Sequence, residues 1–595
     1  MDESFVNEDH LIAFRKALEL LLNLNKQSQN YHQWIDNALK LDEYLNLNQW
    51  KLKKFFYYYD YHTILITTQT LQKLTAQGRT EELMLTLNNC LRSNFAGTEN
   101  AVIYSQTYYG TKAIVEEYNS QVQKSLLCII DDLTLPSVLK YQFFKNISSN
   151  FGKSTLCLSG GACFAYNHFG VIKALLDQDL LPDIISGTSG GGIVAALTAT
   201  RTNKELKELI KPELANRITA CSDPFSVSTR RLITTGAKYD AVDWARKAMF
   251  FTRGSMTFKE AYQRTGKVLN ISTVPADPHS PVILCNHITS PNCVIWSAVL
   301  ASSAVPGVLK PVVLMNKDPH TGVLSPFAFG SRFKDGSLRT DIPLESLNTY
   351  FNTKFSIVSQ VNPHISIFQY SPRGSVGSPV LRRKVGLRGG FVAAGLENYL
   401  KLENLKWFKL MRSLDLLPHV GEQDWSNVWL QKFSGTVTIY PRMKISDLYY
   451  ILSDPTEERL EEMIRNGERA TWPKLLFVRH RLDIERLILY GLKKYKGIVK
   501  GQRNGGHLGL AGASVETISP VVSEDEHNVL EQSKIIVDFD SRLQTDGLQL
   551  QKKFSNQLPT AGETKSDTEE LSFDEQELEI DRLLSEDEHL DNLVA

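Results

Sequence analysis

Apolar residues recur at helical intervals through residues 10–150, where Ala13–Leu24 and Leu83–Leu91 space them three and four apart. Glycines are few there, and Gly97, Gly110 and Pro136 punctuate the pattern. From about residue 154 short apolar runs alternate with helical stretches. Ser154–Leu158 predicts a strand, Val171–Leu181 a helix, Asp183–Ser186 a second strand and Gly192–Thr200 a small-residue helix. Further strands are expected at Val268–Thr273, Val282–Cys285 and Phe355–Val361, so the pattern implies a mostly parallel sheet covered by helices. Residues 387–412 return to helix, Thr436–Tyr440 reads as a strand, and Thr456–Asn466 and Ile484–Lys494 are again helical. After Lys500 a Gly-rich segment leads into an acidic, aromatic-poor stretch that reads as disordered. Four regions follow: a helical 1–150, an α/β 151–362, a mostly helical extension 363–500 and an acidic tail 501–595.

Composition sharpens this outline. The chain has 595 residues, 42% hydrophobic and 22% charged, enough for a sizeable core in more than one ordinary domain. Lys+Arg 66 balances Asp+Glu 66, which argues against a general nucleic-acid binder. The balance hides an asymmetry: residues 501–595 hold 7 basic and 21 acidic side chains, leaving the body at +14 and the tail at −14. Seven cysteines include no Cys-x-x-Cys pair, which argues against a disulfide frame or a zinc site. The acidic N-terminus lacks the character of a signal peptide, and Asn286, His287, Pro291, Asn292 and Pro306 interrupt the uncharged stretch 278–309. The expectation is an intracellular protein, soluble or peripherally attached.

Trp50-Lys51-Leu52-Lys53-Lys54 runs into Phe55-Phe56-Tyr57-Tyr58-Tyr59-Asp60-Tyr61. Lysines beside packed aromatics suit a lipid–water interface, because these rings have an apolar body and a polar tip. The reading favoured by frequency is a core helix with tyrosines at its edges. In the tail, Ser523-Glu524-Asp525-Glu526 and Ser585-Glu586-Asp587-Glu588 suit an acid-directed kinase, or are a solvated spacer.

The chemistry is concentrated in two stretches. Gly187-Thr188-Ser189-Gly190-Gly191 fits Gly-x-Ser-x-Gly, in which a serine sits on a sharp strand-to-helix turn and side chains at ±2 would clash. The turn places Ser189 at a helix N-terminus, where developing negative charge is favoured. Gly160-Gly161, after the preceding strand, lets backbone N–H groups approach an oxyanion closely. The base candidate is Asp335 in Lys334-Asp335-Gly336-Ser337, although Asp-Gly is also a common turn. A carboxylate that hydrogen-bonds the serine hydroxyl can take its proton without a histidine.

These residues resemble the patatin-like phospholipase domain family, as do Asn167–Val171, Ala301–Pro306 and Pro311. Leu41–Leu45, Trp50-Lys51, Tyr59–Tyr61, Thr111-Lys112, Glu116–Tyr118, Gly435–Ile439 and Ala470–Lys474 extend the likeness. They resemble the triacylglycerol lipases of fungal lipid droplets and plant oil bodies. The resemblance implies a three-layer α/β/α domain with Ser189 as nucleophile and Asp335 as base. Gly187 and Gly191 would form the nucleophile elbow, and Gly160, Gly161, Ala162 and Gly190 the oxyanion hole. It implies no metal or cofactor. It also implies a neutral-lipid or phospholipid substrate met peripherally on a lipid droplet, on endoplasmic reticulum membrane or from the cytoplasm. The family usually has a third glycine and then an arginine where this chain has Ala162 and Phe164, which tilts the reading from phospholipid toward neutral lipid.

Two histidines need separate readings. His168 is expected to pack its helix and hydrogen-bond the glycine loop rather than complete a triad. His419 and Asp424 have the His-x4-Asp spacing linked with acyl transfer to lysolipids in relatives, yet one such match is what composition alone yields. Phospholipase A, acyltransferase and droplet-binding regulator are the alternatives to triacylglycerol lipase. The oligomeric state is unknown from sequence.

Overall fold

The computed structural model describes residues 16–505 apart from 278–279, 328–330, 364, 366–373, 381–395 and several positions between 397 and 444. These residues belong to one unit by their contacts. The acidic tail, with Ser523 and Ser585, lies outside the described residues, as does most of the helix expected at 387–412.

The strands are β1 (Lys153–Leu158), β2 (Ile184–Gly187), β3 (Val268–Pro275), β4 (Ile283–Cys285), β5 (Val312–Val313), β6 (Met315–Lys317), β7 (Leu324–Pro326), β8 (Arg332–Asp335), β9 (Thr353–Ser359), β10 (His419–Val420), β11 (Gln423–Asp424) and β12 (Val437–Ile439). Eight of them form one sheet in the order β12-β9-β1-β2-β3-β8-β5, with β4 also paired to β3. The first five in that order are mutually parallel, and β8 runs antiparallel to β3.

Successive side chains of a strand point to opposite faces, and the core divides accordingly. Ile357, Leu156, Ile185 and Leu269 lie side by side across four strands, in one cluster with Phe169, Val194 and Phe477. Those partners belong to helices Asn167–Asp177, Gly190–Ala199 and Leu475–Gly505. Cys157, Ile184, Val268 and Val358 point the other way and pack against Leu347 of helix Leu344–Phe351. The result is three layers, α/β/α. The strands expected from sequence stand within one or two residues of their places. The helix expected at Val171–Leu181 instead spans Asn167–Asp177, and the chain turns through Asp179 at φ 52°.

The N-terminal helices include Tyr31–Tyr44, Tyr61–Gln77, Thr80–Cys90, Ala113–Asp131 and Ser137–Phe151. Several family-like motifs there serve the packing of this region. The buried Asp42 carboxylate accepts from the Tyr108 and Tyr109 amides at 2.7 and 3.1 Å and pairs with Lys51 at 3.0 Å. Lys112 Nζ donates to the Trp50 and Lys53 carbonyls and lies 3.7 Å from the centre of the Trp50 ring. The long helix Leu475–Gly505 ties this region to the sheet. Phe144 stacks on Tyr495, and Arg481 donates to the Phe151 and Gly152 carbonyls. Glu485 accepts from the Ser154 amide of β1 at 2.9 Å.

The core-helix reading of the aromatic stretch is corrected. A short helix ends at Leu52, residues 53–60 form a surface loop, and the next helix starts at Tyr61 with Asp60 capping it. Leu52, Phe55 and Tyr57 are 62%, 58% and 86% exposed. Five consecutive rings would point all round a helix and could not share one buried face; the loop buries only Tyr59 among residues 53–60. Among the described residues no helix is long and apolar enough to cross a membrane.

Candidate active site

β2 delivers the serine. The chain leaves Gly187, turns sharply at Ser189 (φ 53°, ψ −128°) and enters helix Gly190–Ala199. That conformation is strained for any residue with a Cβ and persists only where its surroundings hold it. Ser302 does part of the holding: its Oγ accepts from the Ser189 amide at 2.9 Å and donates to the Ser272 carbonyl of β3 at 2.7 Å. The flanking glycines are there for space. A Cβ on Gly187 would lie 2.4 Å from the Gly191 carbonyl oxygen, and one on Gly191 would lie 2.4 Å from the Leu158 and Ser159 oxygens.

β8 delivers the carboxylate. It pairs with β3 so that Asp335 stands opposite Thr273, while Gly187 of β2 stands beside Ile271 of the same strand. One strand of separation therefore brings distant chain segments together. Asp335 is fully buried; its Oδ1 accepts from the Ser337 amide at 2.7 Å. Burial pushes the carboxyl up to about 6, against downward pulls from hydrogen bonding by Ser337 and by the Ser189 side chain. Oδ2 lacks a well-aligned donor in this rotamer, so the Ser189 and Asp335 side chains are juxtaposed with the bond between them not closed.

The glycine loop follows β1 and lies against the elbow, with Ser189 Cβ 3.3 Å from the site a Gly160 Cβ would occupy. Its donors differ from expectation at one position. The Gly160 amide is already committed, donating to Asp341 Oδ1 at 2.8 Å, so Gly160 is corrected from oxyanion donor to anchor of the loop. The amides of Gly161, Ala162 and Gly190 meet no acceptor among the described residues. Ala162 adopts φ 50°, the left-handed region that favours glycine, which accounts for the glycine usual in relatives. Phe164 is buried, so apolar packing occupies the position of the usual arginine.

His168 packs as expected. Fully buried, it bonds Ser359 Oγ at 2.7 Å through Nδ1 and the Ser159 carbonyl at 3.0 Å through Nε2. Burial pushes it down to about 4, which keeps it neutral. His419 and Asp424 face each other across the two-residue pairing of β10 and β11; their side chains lie outside the described residues.

Sequence reasoning missed Asp341. This second buried carboxylate holds Gly160 through Oδ1 and accepts from Asn362 Nδ2 at 2.7 Å through Oδ2. Its carbonyl accepts from the Thr188 hydroxyl at 2.8 Å, and its amide donates to Gln431 Oε1 at 2.6 Å. Gln431 Nε2 in turn donates to the Ser337 carbonyl at 2.9 Å, beside Asp335. Asp341 thus stitches the glycine loop, the elbow and the Asp335 turn together. Burial, with the nearby Asp335 charge adding, pushes its carboxyl up to about 7. No local motif marks such a residue, because its importance lies entirely in four long-range contacts.

From Ser189 an apolar cavity of about 80 Å³ opens between Ala162, Tyr166, Ile193, Trp244 and Val308. A second, about 30 Å³, abuts it toward Ile218, Ala248, Phe251 and Val299, and the two share Tyr166, Ile193, Ala220, Trp244 and Ser303. No charged side chain lines the first among the described residues. A larger cavity of about 180 Å³ beside Trp34 and Lys474 shares no lining residue with it.

Comparison with known proteins agrees with this construction. The family model "Patatin-like phospholipase" matches residues 156–348, and "Domain of unknown function (DUF3336)" matches 11–149. A patatin-like phospholipase domain-containing protein of Candida albicans is 55% identical over 83% of this chain and 61% of its own length. One from Aspergillus fumigatus is 51% identical over 82% of this chain and 70% of its own length. The chain spans about three fifths of the length of the first curated relatives it matches. Among solved structures, VipD from Legionella pneumophila aligns over 65% of this chain and 80% of its own at 13% identity, with a TM-score of 0.28, too slight a likeness to inform the fold. Identity of 51% to the Aspergillus fumigatus protein, over 82% of this chain and 70% of that one, places the chain in the patatin-like phospholipase domain family.

Proposed function

We propose that the chain is a serine lipase that hydrolyses triacylglycerol at a lipid-droplet surface, releasing fatty acid and diacylglycerol. The observation that carries this reading is the juxtaposition of Ser189 with a buried, basic-shifted Asp335 at the mouth of an apolar cavity. Asp335 takes the Ser189 proton as Oγ attacks the ester carbonyl, and the free amides of Gly161, Ala162 and Gly190 receive the oxyanion. The proton passes to the departing diacylglycerol oxygen. Asp335 then activates water, which releases the fatty acid and restores the serine.

The absence of a charged side chain among the described residues lining the cavity favours a neutral ester over a phospholipid. The family's name, patatin-like phospholipase, supports the rival reading of a phospholipase. Assaying the purified protein on emulsified triolein and on phosphatidylcholine, with Ser189→Ala as control, decides between them: preference for phosphatidylcholine would overturn the triacylglycerol assignment.

The exposed Phe55, Tyr57 and Tyr58, flanked by Lys53 and Lys54, suit contact with a lipid monolayer. Replacing the three rings by serine is expected to reduce co-flotation with artificial droplets while leaving hydrolysis of a soluble ester intact. Unchanged flotation would remove this stretch from the contact.

The abutting cavities suit an acyl chain. Ala220→Trp, at the junction, is expected to shift preference toward short acyl chains by about tenfold or more, as overfilling an apolar pocket implies. An unaltered chain-length profile would assign the acyl group elsewhere.

Asp341 is proposed as a positioning residue. Asp341→Ala is expected to lower kcat by about 100-fold with little change in KM, because the loop carrying the oxyanion amides loses its tether. Asp341→Asn keeps an acceptor for the Gly160 amide, so it should retain more activity than Asp341→Ala. Hydrolysis by Asp341→Ala at the wild-type kcat would show that the loop holds its place without this tether.

A further inference from the structure

The cavity beside Trp34 and Lys474 has an unusual charge pattern. Lys26, Arg442, Arg469 and Lys474 line it together with Ser375, Thr438, Tyr440 and Asn466, and no carboxylate does so among the described residues. Six segments meet there: helix 16–27, helix Tyr31–Tyr44, the turn at 375–378, the edge strand β12 with the residues after it, helix Glu457–Thr471, and the Pro473-Lys474 turn.

Like charges gathered in a recess repel one another, and burial adds a solvation cost. Both effects are visible here. Lys474 is buried, and its Nζ spends two of its three donors on Ser375 Oγ at 2.9 Å and on the Val376 carbonyl. Burial alone pushes its ammonium down to about 7. Arg469 is held below the usual guanidinium range by burial first, then by Arg465 and Arg442, with Glu468 partly opposing. Arg442 remains exposed at the opening. Such an arrangement is relieved by a multivalent anion, which would accept charge-assisted bonds from guanidinium forks and hydroxyls alike. Polar side chains line the cavity beside Trp34, Ala470 and Pro473, and its volume of about 180 Å³ has room for a tetrahedral oxyanion.

We propose that this cavity is a binding site for a phosphate group, distinct from the Ser189 site. Two sources share that chemistry: a phosphomonoester lipid headgroup and a soluble phosphate. Either would join the N-terminal helical region to the C-terminal helices through one ligand, since Lys26 comes from the first and Arg469 and Lys474 from the second.

The test uses the full chain in three arms. Calorimetry with inorganic phosphate measures the free anion. Flotation compares vesicles of phosphatidylcholine containing phosphatidic acid with vesicles of equal surface charge containing phosphatidylserine. Each arm is repeated with Arg442→Glu and Arg469→Gln, with thermal melting as a check on folding. The expected result is binding of phosphate, of phosphatidic acid vesicles, or of both, weakened at least tenfold in each variant. Phosphate binding without a preference for phosphatidic acid assigns a soluble ligand; preference for phosphatidic acid, competed by phosphate, assigns the headgroup. No binding in any arm overturns the site. Binding that the variants leave unchanged, or vesicle binding that tracks only surface charge with no phosphate binding, overturns it equally. If one variant does not fold, the other decides, because the two residues lie on different elements.

Discussion

Ser189→Ala is expected to lower ester hydrolysis by about 10⁴-fold or more while the protein remains folded. The hydroxyl is the nucleophile in the proposed mechanism, and removing such a group leaves only what binding and the oxyanion amides contribute. The substitution removes one oxygen from a buried turn without altering the backbone that Ser302 holds through the Ser189 amide. Thermal melting should therefore change little, and labelling by a fluorophosphonate probe should vanish. Appreciable hydrolysis by the variant, with lipid-class profiling against the wild type, would dismiss Ser189 as the nucleophile.

Asp335→Asn should cost nearly as much activity, and it carries a second, opposite signature. As a base, Asp335 must be ionised, and its carboxyl sits at about 6 because burial disfavours the charge. Activity on a soluble ester is thus expected to fall about tenfold per unit as pH drops below about 6. The same elevation bears on stability. Between the ordinary carboxyl value of 3.8 and about 6, the folded state binds the proton more tightly than the unfolded chain, so stability is lost as pH rises through that window. The neutral Asp335→Asn variant escapes this loss, and its amide oxygen can still accept from the Ser337 amide. It is expected to be more stable than the wild type at pH 7.5 by on the order of 2–3 kcal/mol, with the difference fading near pH 4. Denaturant titrations at the two pH values measure it. Equal stability at both would mean that Asp335 is not the desolvated carboxylate described here.

Much of the α/β layer was legible along the chain. Short apolar runs bounded by turns read as strands because each strand is buried on both faces, and their ends fell close to the expected places. The elbow was legible for a related reason: glycines at ±2 are required by local crowding, and a Cβ at Gly187 or Gly191 would run into backbone oxygen. The aromatic stretch 50–66 was not legible, since a run of rings has the same composition whether it lines a core or a surface. Helices Phe225–Thr235 and Ala241–Phe251 were also missed, although Trp244 and Phe251 of the second line the cavities near Ser189.

The glycine loop shows the division most clearly. Sequence alone marked Gly160, Gly161 and Ala162 as a close backbone approach, because a motif written in consecutive residues reports on the local path of the chain. Which of their amides stays free was decided by Asp341, brought from far downstream by the order of β1, β2, β3 and β8. The same holds for Ser302 beneath the nucleophile and for the four cations around the cavity at β12. Backbone geometry depends on neighbours in sequence, and sequence determined it. Hydrogen-bond ownership, burial and the meeting of charges depend on neighbours in space, so only the packed sheet and its flanking helices could settle them.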